Sequence, residues 1–237
     1  MSVARLLQSV DRVVAIKITA VLGAELLVFA GAMFGAAGTD DWTGGWIFLT
    51  IVMASVVPAA VGLLIHDPDL LEERTRLAPR GQPLADRIFV PVHSLTMLLW
   101  AAVAGYDGGR AGWSHVPMGL RVGAALFIPW ATWIGYRIMR ENPFLTTCVI
   151  VQDGRDHHVV DSGAYAVVRH PFYSITLLYQ ACASLVLGSW ISLALVGVVG
   201  AMLATRILIE EQHLERNLNG YAAYMGRTRW RLIPGLW

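Results

Sequence analysis

The sequence predicts an all-α integral membrane protein. About six transmembrane helices, a C-terminal helical hairpin and polar segments gathered at one membrane face make up its plan. Three observations lead there. The 237-residue chain is 56% hydrophobic, has a mean hydropathy of +0.55 and is only 15% charged. That leaves little polar surface for a soluble domain of this length. Several apolar runs are long enough to cross about 30 Å of hydrocarbon as helices. The arginines and lysines fall almost entirely into alternate connections between those runs.

The first span is expected over 14–36, where Gly23, Gly31 and Gly35 offer close helix contact. Residues 30–37 are rich in small side chains, but no cleavage motif cleanly follows a short apolar core, so the span is read as retained. The second span covers 46–65, with Pro58 expected to bend it. A polar stretch over 66–87 follows, and residues 69–76 suit a short interfacial helix with Pro68 at its start. The third span, 88–103, carries His93. Residues 105–110 are turn-rich. The fourth span is 120–139, followed by a second polar segment, 140–171, with room for a small hairpin around Asp153-Gly154. The last apolar block, 174–208, is too long for one span and is interrupted by Gly188-Ser189-Trp190. It therefore reads as a tight hairpin. Several of the nine tryptophans lie near span ends, as interfacial anchors do.

Six crossings put both termini, 66–87 and 140–171 on one side. Only Arg110 and Arg121 among the 18 basic residues then lie on the other. The positive-inside rule makes the crowded side cytoplasmic, so the chain is expected to be a multi-pass protein of an inner or plasma membrane. The net charge of +1 and the lack of a basic tail give no sign of nucleic-acid binding. No obligate protein partner is evident. Cys148 and Cys182 make neither a disulfide framework nor a metal ladder, and no zinc, phosphate-loop or nucleophile-elbow motif is present.

Two polar clusters flank the hairpin. Arg169-His170-Pro171 sits at the first arm's start, where Pro171 suits the first helical turn and disfavours helix at His170. The pair can take an anion at a helix N-terminus or simply meet lipid phosphate. Tyr165 and Tyr173 are either interfacial aromatics or the walls of a polar mouth. Arg206, Glu210 and Glu211 close the second arm. Arg206 is spaced to pair with Glu210, and of the adjacent glutamates one is expected to face inward and one outward. His213 can share the Glu210 face. Glu25, inside the first apolar run, is a further candidate because a carboxylate in lipid is costly.

The run from Gly163 to Tyr173, with Tyr165 and Arg169-His170-Pro171 inside it, resembles the signature of the isoprenylcysteine carboxyl methyltransferase family and its phospholipid-methyltransferase relatives. Ala164 stands where the family has proline. A second block resembles the family too: Arg206, Glu210-Glu211, Leu214, Gly220, Tyr221, Tyr224 and Arg231-Leu232-Ile233-Pro234. The looser element Glu141-Asn142-Pro143-Phe144 precedes both.

The resemblance implies S-adenosylmethionine-dependent methyl transfer. It divides the chain into membrane helices over 1–140 and a cofactor-binding catalytic region over 141–237, including a hairpin at 172–209. Tyr165, His170, Pro171, Glu210 and Glu211 would bind the cofactor. Arg169, Glu210 and Tyr173 would be catalytic, and no metal is implied. The acceptor would be lipophilic or small: a prenylated cysteine carboxylate, an amine headgroup, an isoprenoid acid, or an apolar thiol or alcohol. The competing reading is a non-catalytic membrane scaffold, or a lipid- or solute-handling protein that keeps the fold.

Overall fold

A computed structural model describes residues 12–75, 83–149 and 155–237. The described residues form helices and no strand. Helices α1 (Arg12–Ala37) and α2 (Thr43–His66) are apolar around most of their circumference and bury few side chains within the protein, as lipid-facing helices do. Pro58 lies inside α2 without ending it. The short α3 (Pro68–Thr75) starts on Pro68 as expected. It is anchored by Leu70 and Leu71, which pack on Ile18 of α1 and Leu63 of α2.

Helix α4 (Leu84–Gly105) begins one turn before the apolar run, so Asp86 enters its first turn. The expected turn-rich loop after it is instead a π-helical turn, Tyr106–Ala111, that continues the helix. Its glycines explain why. A Cβ on Gly105 would collide with the Met33 carbonyl, and one on Gly108 with that of Leu187. These two positions let α1 and the hairpin approach α4 at backbone distance. By contrast, a Cβ at Gly23, Gly31 or Gly35 would meet nothing, so the close contact expected of them is made elsewhere.

Helices α5 (Met118–Glu141) and α6 (Pro171–Leu187) pack along each other. Gly188, with φ of +82°, turns the chain into α7 (Trp190–Asn217), where the Ser189 side chain caps the first turn by accepting from Ser192 N. The short α8 (Tyr221–Arg227) follows and packs through Tyr221 and Tyr224 on Leu218.

The expectation of six crossings is corrected. Among the described residues four helices are long and apolar enough to cross a membrane: Arg12–Ala37, Thr43–His66, Leu84–Ala111 and Trp190–Asn217. α5 has the length, but Arg121, Arg137, Arg140 and Glu141 dilute its apolar character. α6 has only 17 residues. At 1.5 Å per residue it reaches about 26 Å, short of the hydrocarbon thickness. The second hairpin arm runs on to Asn217, so Glu210, Glu211 and His213 all lie on α7. The small hairpin expected around Asp153-Gly154 falls largely on 150–154, outside the described residues. His158 to Val160 are described and are not strand.

The hairpin turn is held by a buried carboxylate. Asp107 accepts from Ser114 N at 3.0 Å, Ser114 Oγ at 2.6 Å and Ser189 Oγ at 2.5 Å. Ser114 Oγ in turn accepts from Trp190 N. The main core lies just beneath, with Met33, Trp42, Phe48, Trp100, Ile128 and Leu187 among its members.

Candidate active site

At the opposite end of the hairpin the two sequence clusters meet. Gly163 has φ of +54° and opens a 3₁₀ turn, Gly163–Ala166, against Glu141, whose carboxylate accepts from Ala164 N. That turn sets Tyr165. Arg169, at a bend, and His170 then lead into Pro171, the first residue of α6. Their backbone amides donate to the Trp230 and Arg231 carbonyls, each at 2.9 Å, and Ser174 Oγ donates to Leu232 O at 2.7 Å. The C-terminal strip 228–232 is thereby strapped across the Arg169-His170-Pro171 segment.

Glu211 is buried beneath this strap. Its Oε1 accepts from Arg169 Nε at 2.6 Å and lies 3.2 Å from His170 Nε2, while Oε2 accepts from Arg231 Nε at 2.9 Å. Arg169 Nη1 donates to the Thr228 and Arg229 carbonyls. Arg169 is only 7% exposed, so its fork is engaged by protein groups rather than open to lipid phosphate.

Glu210 faces another way. Its Oε2 accepts from Tyr173 Oη at 2.9 Å, and its Oε1 lies 4.0 Å from His170 Nδ1. The His170 and Tyr173 rings stack, 5.6 Å apart and within 9° of parallel. Arg206 does not pair with Glu210, as the helical spacing suggested. It donates to Asp86 Oδ1 at 2.6 Å, to Thr147 O at 2.6 Å and to Tyr173 Oη at 3.1 Å. Asp86 also accepts from Val149 N. A chain of bonds thus runs from α4 through Arg206 and Tyr173 to Glu210.

Tyr165, Arg169, His170, Tyr173 and Glu210 line one cavity of about 70 Å³, together with Asn142, residues 157–160 and α8. Pro171 and Glu211 support its wall. The Tyr165 hydroxyl is buried and has no hydrogen-bond partner among the described residues. Asn142 lies close enough to influence it without reaching bonding geometry. Burial pushes the Tyr165 pKa up, so the hydroxyl stays neutral and able to donate. Burial does the same to Tyr221 and Tyr224.

Glu25 is not part of this cluster. It lines a separate apolar cavity of about 640 Å³ between α1, α2, α4 and α6. His93 stacks on Phe89, and its Nδ1 is buried without a hydrogen-bond partner among the described residues. His213 contacts Asn217. No group of three or more metal-ligating side chains occurs among the described residues.

Sequence reading missed Asp86, which gave itself away only as an acid just ahead of an apolar run. It also missed the Thr147, Thr228 and Arg229 carbonyls, which leave no signal in residue type.

Residues 119–220 match the family model described as phospholipid methyltransferase. The matched stretch holds every residue of both sequence clusters, from Tyr165 through Glu211. No curated protein matches the chain. Taken with the sheet-free helical architecture, the match defines an S-adenosylmethionine-dependent methyltransferase domain set among membrane-spanning helices. The chain is a multi-pass membrane enzyme that transfers methyl groups at a membrane face.

Proposed function

We propose that the cavity between the 3₁₀ turn, α6 and α7 holds S-adenosylmethionine, and that the enzyme methylates a lipophilic acceptor in the manner of the isoprenylcysteine carboxyl methyltransferases. The basic connections favour the cytoplasmic face of an inner or plasma membrane for this site, with both termini on that side. Residues 1–140 then serve as the membrane platform and 141–237 as the catalytic region.

The observation that carries this reading is convergence. Two sequence blocks almost forty residues apart supply opposite walls of one polar cavity. The donor set suits the cofactor's chemistry. Glu210 offers a carboxylate to an ammonium or to ribose hydroxyls. The Tyr165 hydroxyl is buried and has no hydrogen-bond partner among the described residues. Tyr165, Phe172 and Tyr173 surround the space with aromatic faces that favour a cation. At about 70 Å³ the cavity is narrower than the roughly 300 Å³ of a small-molecule site, so binding requires its walls to part. Residues 157–160, which form no helix, line one side of it.

When bound, S-adenosylmethionine supplies an electrophilic methyl group on a sulfonium. The chain's part is positioning and electrostatics. Glu210 and Tyr165 hold the polar groups, and Tyr173, fixed by Arg206, keeps the Glu210 carboxylate oriented. His170 is set by Glu211 on one side and by Tyr173 stacking on the other. Arg169 and Glu211 act as positioning residues, because their charges meet each other and the C-terminal strap. Pro171 fixes where the irregular Arg169-His170 segment ends and α6 begins.

Titration of the full-length protein in lipid nanodiscs with S-adenosylhomocysteine tests this. Saturable binding, weakened by His170→Ala, is expected. A folded sample that shows no saturable binding contradicts the assignment.

A further inference from the structure

The strap across Arg169-His170-Pro171 has no helix or strand of its own. Its carbonyls at Trp230, Arg231 and Leu232 accept from Arg169 N, His170 N and Ser174 Oγ. Its other edge is held differently. The amides of Arg231, Leu232 and Ile233 all donate to one atom, the main-chain oxygen of Trp237, at 2.9, 3.0 and 3.2 Å. The amides of Leu236 and Trp237 donate back to Ile233 O, each at 3.1 Å. The turn between them passes through Gly235, whose φ of +83° is the left-handed geometry that glycine adopts without strain. Pro234 brings no N–H that the turn would have to satisfy. The strap thus lies between the active-site segment on one edge and Trp237 on the other.

The Trp237 side chain adds a second hold. The Arg231 guanidinium lies 5.2 Å from the centre of the Trp237 ring, and its Nε donates to Glu211 Oε2 at 2.9 Å. The Arg231 side chain is 30% exposed, whereas that of Glu211 is 6% exposed. A partly hydrated arginine gives up a carboxylate to water readily. An aromatic face against it limits that freedom and leaves its N–H edge for the carboxylate. The consequence reaches the cavity. The last torsion of a glutamate is broad, so the carboxylate keeps one orientation only when both oxygens are held. Glu211 Oε1 meets Arg169 Nε at 2.6 Å and His170 Nε2 at 3.2 Å, and Arg231 is the partner of Oε2. Releasing Arg231 leaves a buried oxygen unpaired and unpins the carboxylate that orients His170, whose ring lines the polar cavity.

We propose that Trp237 is a positioning residue for the cofactor site. It does not line the cavity. Its ring acts through Arg231 and Glu211 on the His170 side chain, and its main-chain oxygen acts through the strap on the Arg169-His170 backbone. This rests on the reading of the polar cavity as the cofactor site. Two glycines allow the turn to be tested apart from the ring. A Cβ would meet nothing within 4 Å at either Gly235 or Gly226, so alanine fits the space at both. Only Gly235 has a positive φ, so only there does alanine strain the backbone that brings Trp237 to the strap.

The full-length protein in phosphatidylcholine nanodiscs is titrated with S-adenosylhomocysteine, and its amide hydrogen exchange is followed by mass spectrometry. Trp237→Ala should weaken binding about tenfold, and Trp237→Phe, which keeps an aromatic face, should restore most of it. Gly235→Ala should weaken binding about threefold, and Gly226→Ala should leave it unchanged. In an Arg231→Gln background, Trp237→Ala should have no further effect on affinity. Trp237→Ala and Gly235→Ala should both speed exchange in the peptide holding Arg169 and His170. Both should leave the amides of Trp190 and Ser192, at the far end of the hairpin, protected as in the wild type. Wild-type affinity in Trp237→Ala, or Trp237→Phe as weak as Trp237→Ala, overturns the proposal. So does weakened binding with unchanged exchange at Arg169 and His170. Exchange that speeds equally at Trp190 and Ser192 marks general unfolding and overturns a local role. Failure of the wild type to bind S-adenosylhomocysteine sinks the cofactor reading instead, while the exchange at Arg169 and His170 still reports whether Trp237 holds the strap.

Discussion

At one end of the α6–α7 hairpin Asp107 is surrounded by hydroxyls and a backbone amide. At the other, Glu210 and Glu211 are surrounded by arginines, a histidine and a tyrosine. Both ends bury carboxylates where the helices emerge from the apolar core. Asp107 is 1% exposed and its three bonds all serve the turn at Ser114 and Ser189. Glu211 resembles it in being fully engaged, yet its partners are two arginines and a histidine from two separate segments, Arg169-His170 and Arg231. Glu210 keeps one face toward a cavity, beside a tyrosine hydroxyl with no hydrogen-bond partner among the described residues. The lesson is that burial of polar groups does not by itself mark a site. Polar groups whose bonding capacity is left over, next to space, do.

The largest effect expected is at Glu211. Glu211→Ala leaves the buried Arg169 without its carboxylate, which should cost about 3–5 kcal/mol of stability. Chemical denaturation of the protein in detergent would read this, and a change under 1 kcal/mol would contradict the buried network. Asp107→Ala should cost about 3 kcal/mol by stranding the donors at the turn. Unlike Glu211→Ala, it should leave cofactor affinity unchanged in the protein that remains folded. A selective loss of affinity would erase the distinction between the two ends. Glu210→Gln should reverse that pattern: nearly native stability, and about 2 kcal/mol, or thirtyfold, weaker S-adenosylhomocysteine binding by calorimetry. Tyr165→Phe should be the smallest, about 1 kcal/mol in affinity with no loss of stability, since no hydrogen bond to a described residue is abandoned. Because burial keeps this hydroxyl neutral, the difference from wild type should be flat between about pH 6 and pH 9.

Much of the site was legible because its signals are local. Pro171 sets a helix start wherever it occurs in such a context, and the Gly188-Ser189-Trp190 interruption can only turn a helix. The convergence of the two clusters followed from the hairpin alone. The crossings were less legible. Apolar runs reveal hydrophobicity but not how four scattered charges on α5, or the 17-residue limit of α6, weigh against it. Partner choice was least legible. Helical spacing offered Glu210 to Arg206, but tertiary packing brought Asp86 from 120 positions away. The glycines followed the same rule. Those of α1 look suited to close packing, yet the close approaches fall at Gly105 and Gly108, where neighbouring backbone arrives.

The contrast between the ends reduces to where the methyl donor binds. Ultraviolet cross-linking of methyl-labelled S-adenosylmethionine to the full-length protein in nanodiscs, followed by peptide mapping, locates it directly. Label on Tyr165, Tyr173, Tyr221 or the 157–160 stretch, suppressed by Glu210→Gln and untouched by Asp107→Ala, is the expected result. Label concentrated on the Asp107–Ser114 end, or labelling that excess unlabelled cofactor does not displace, would contradict it.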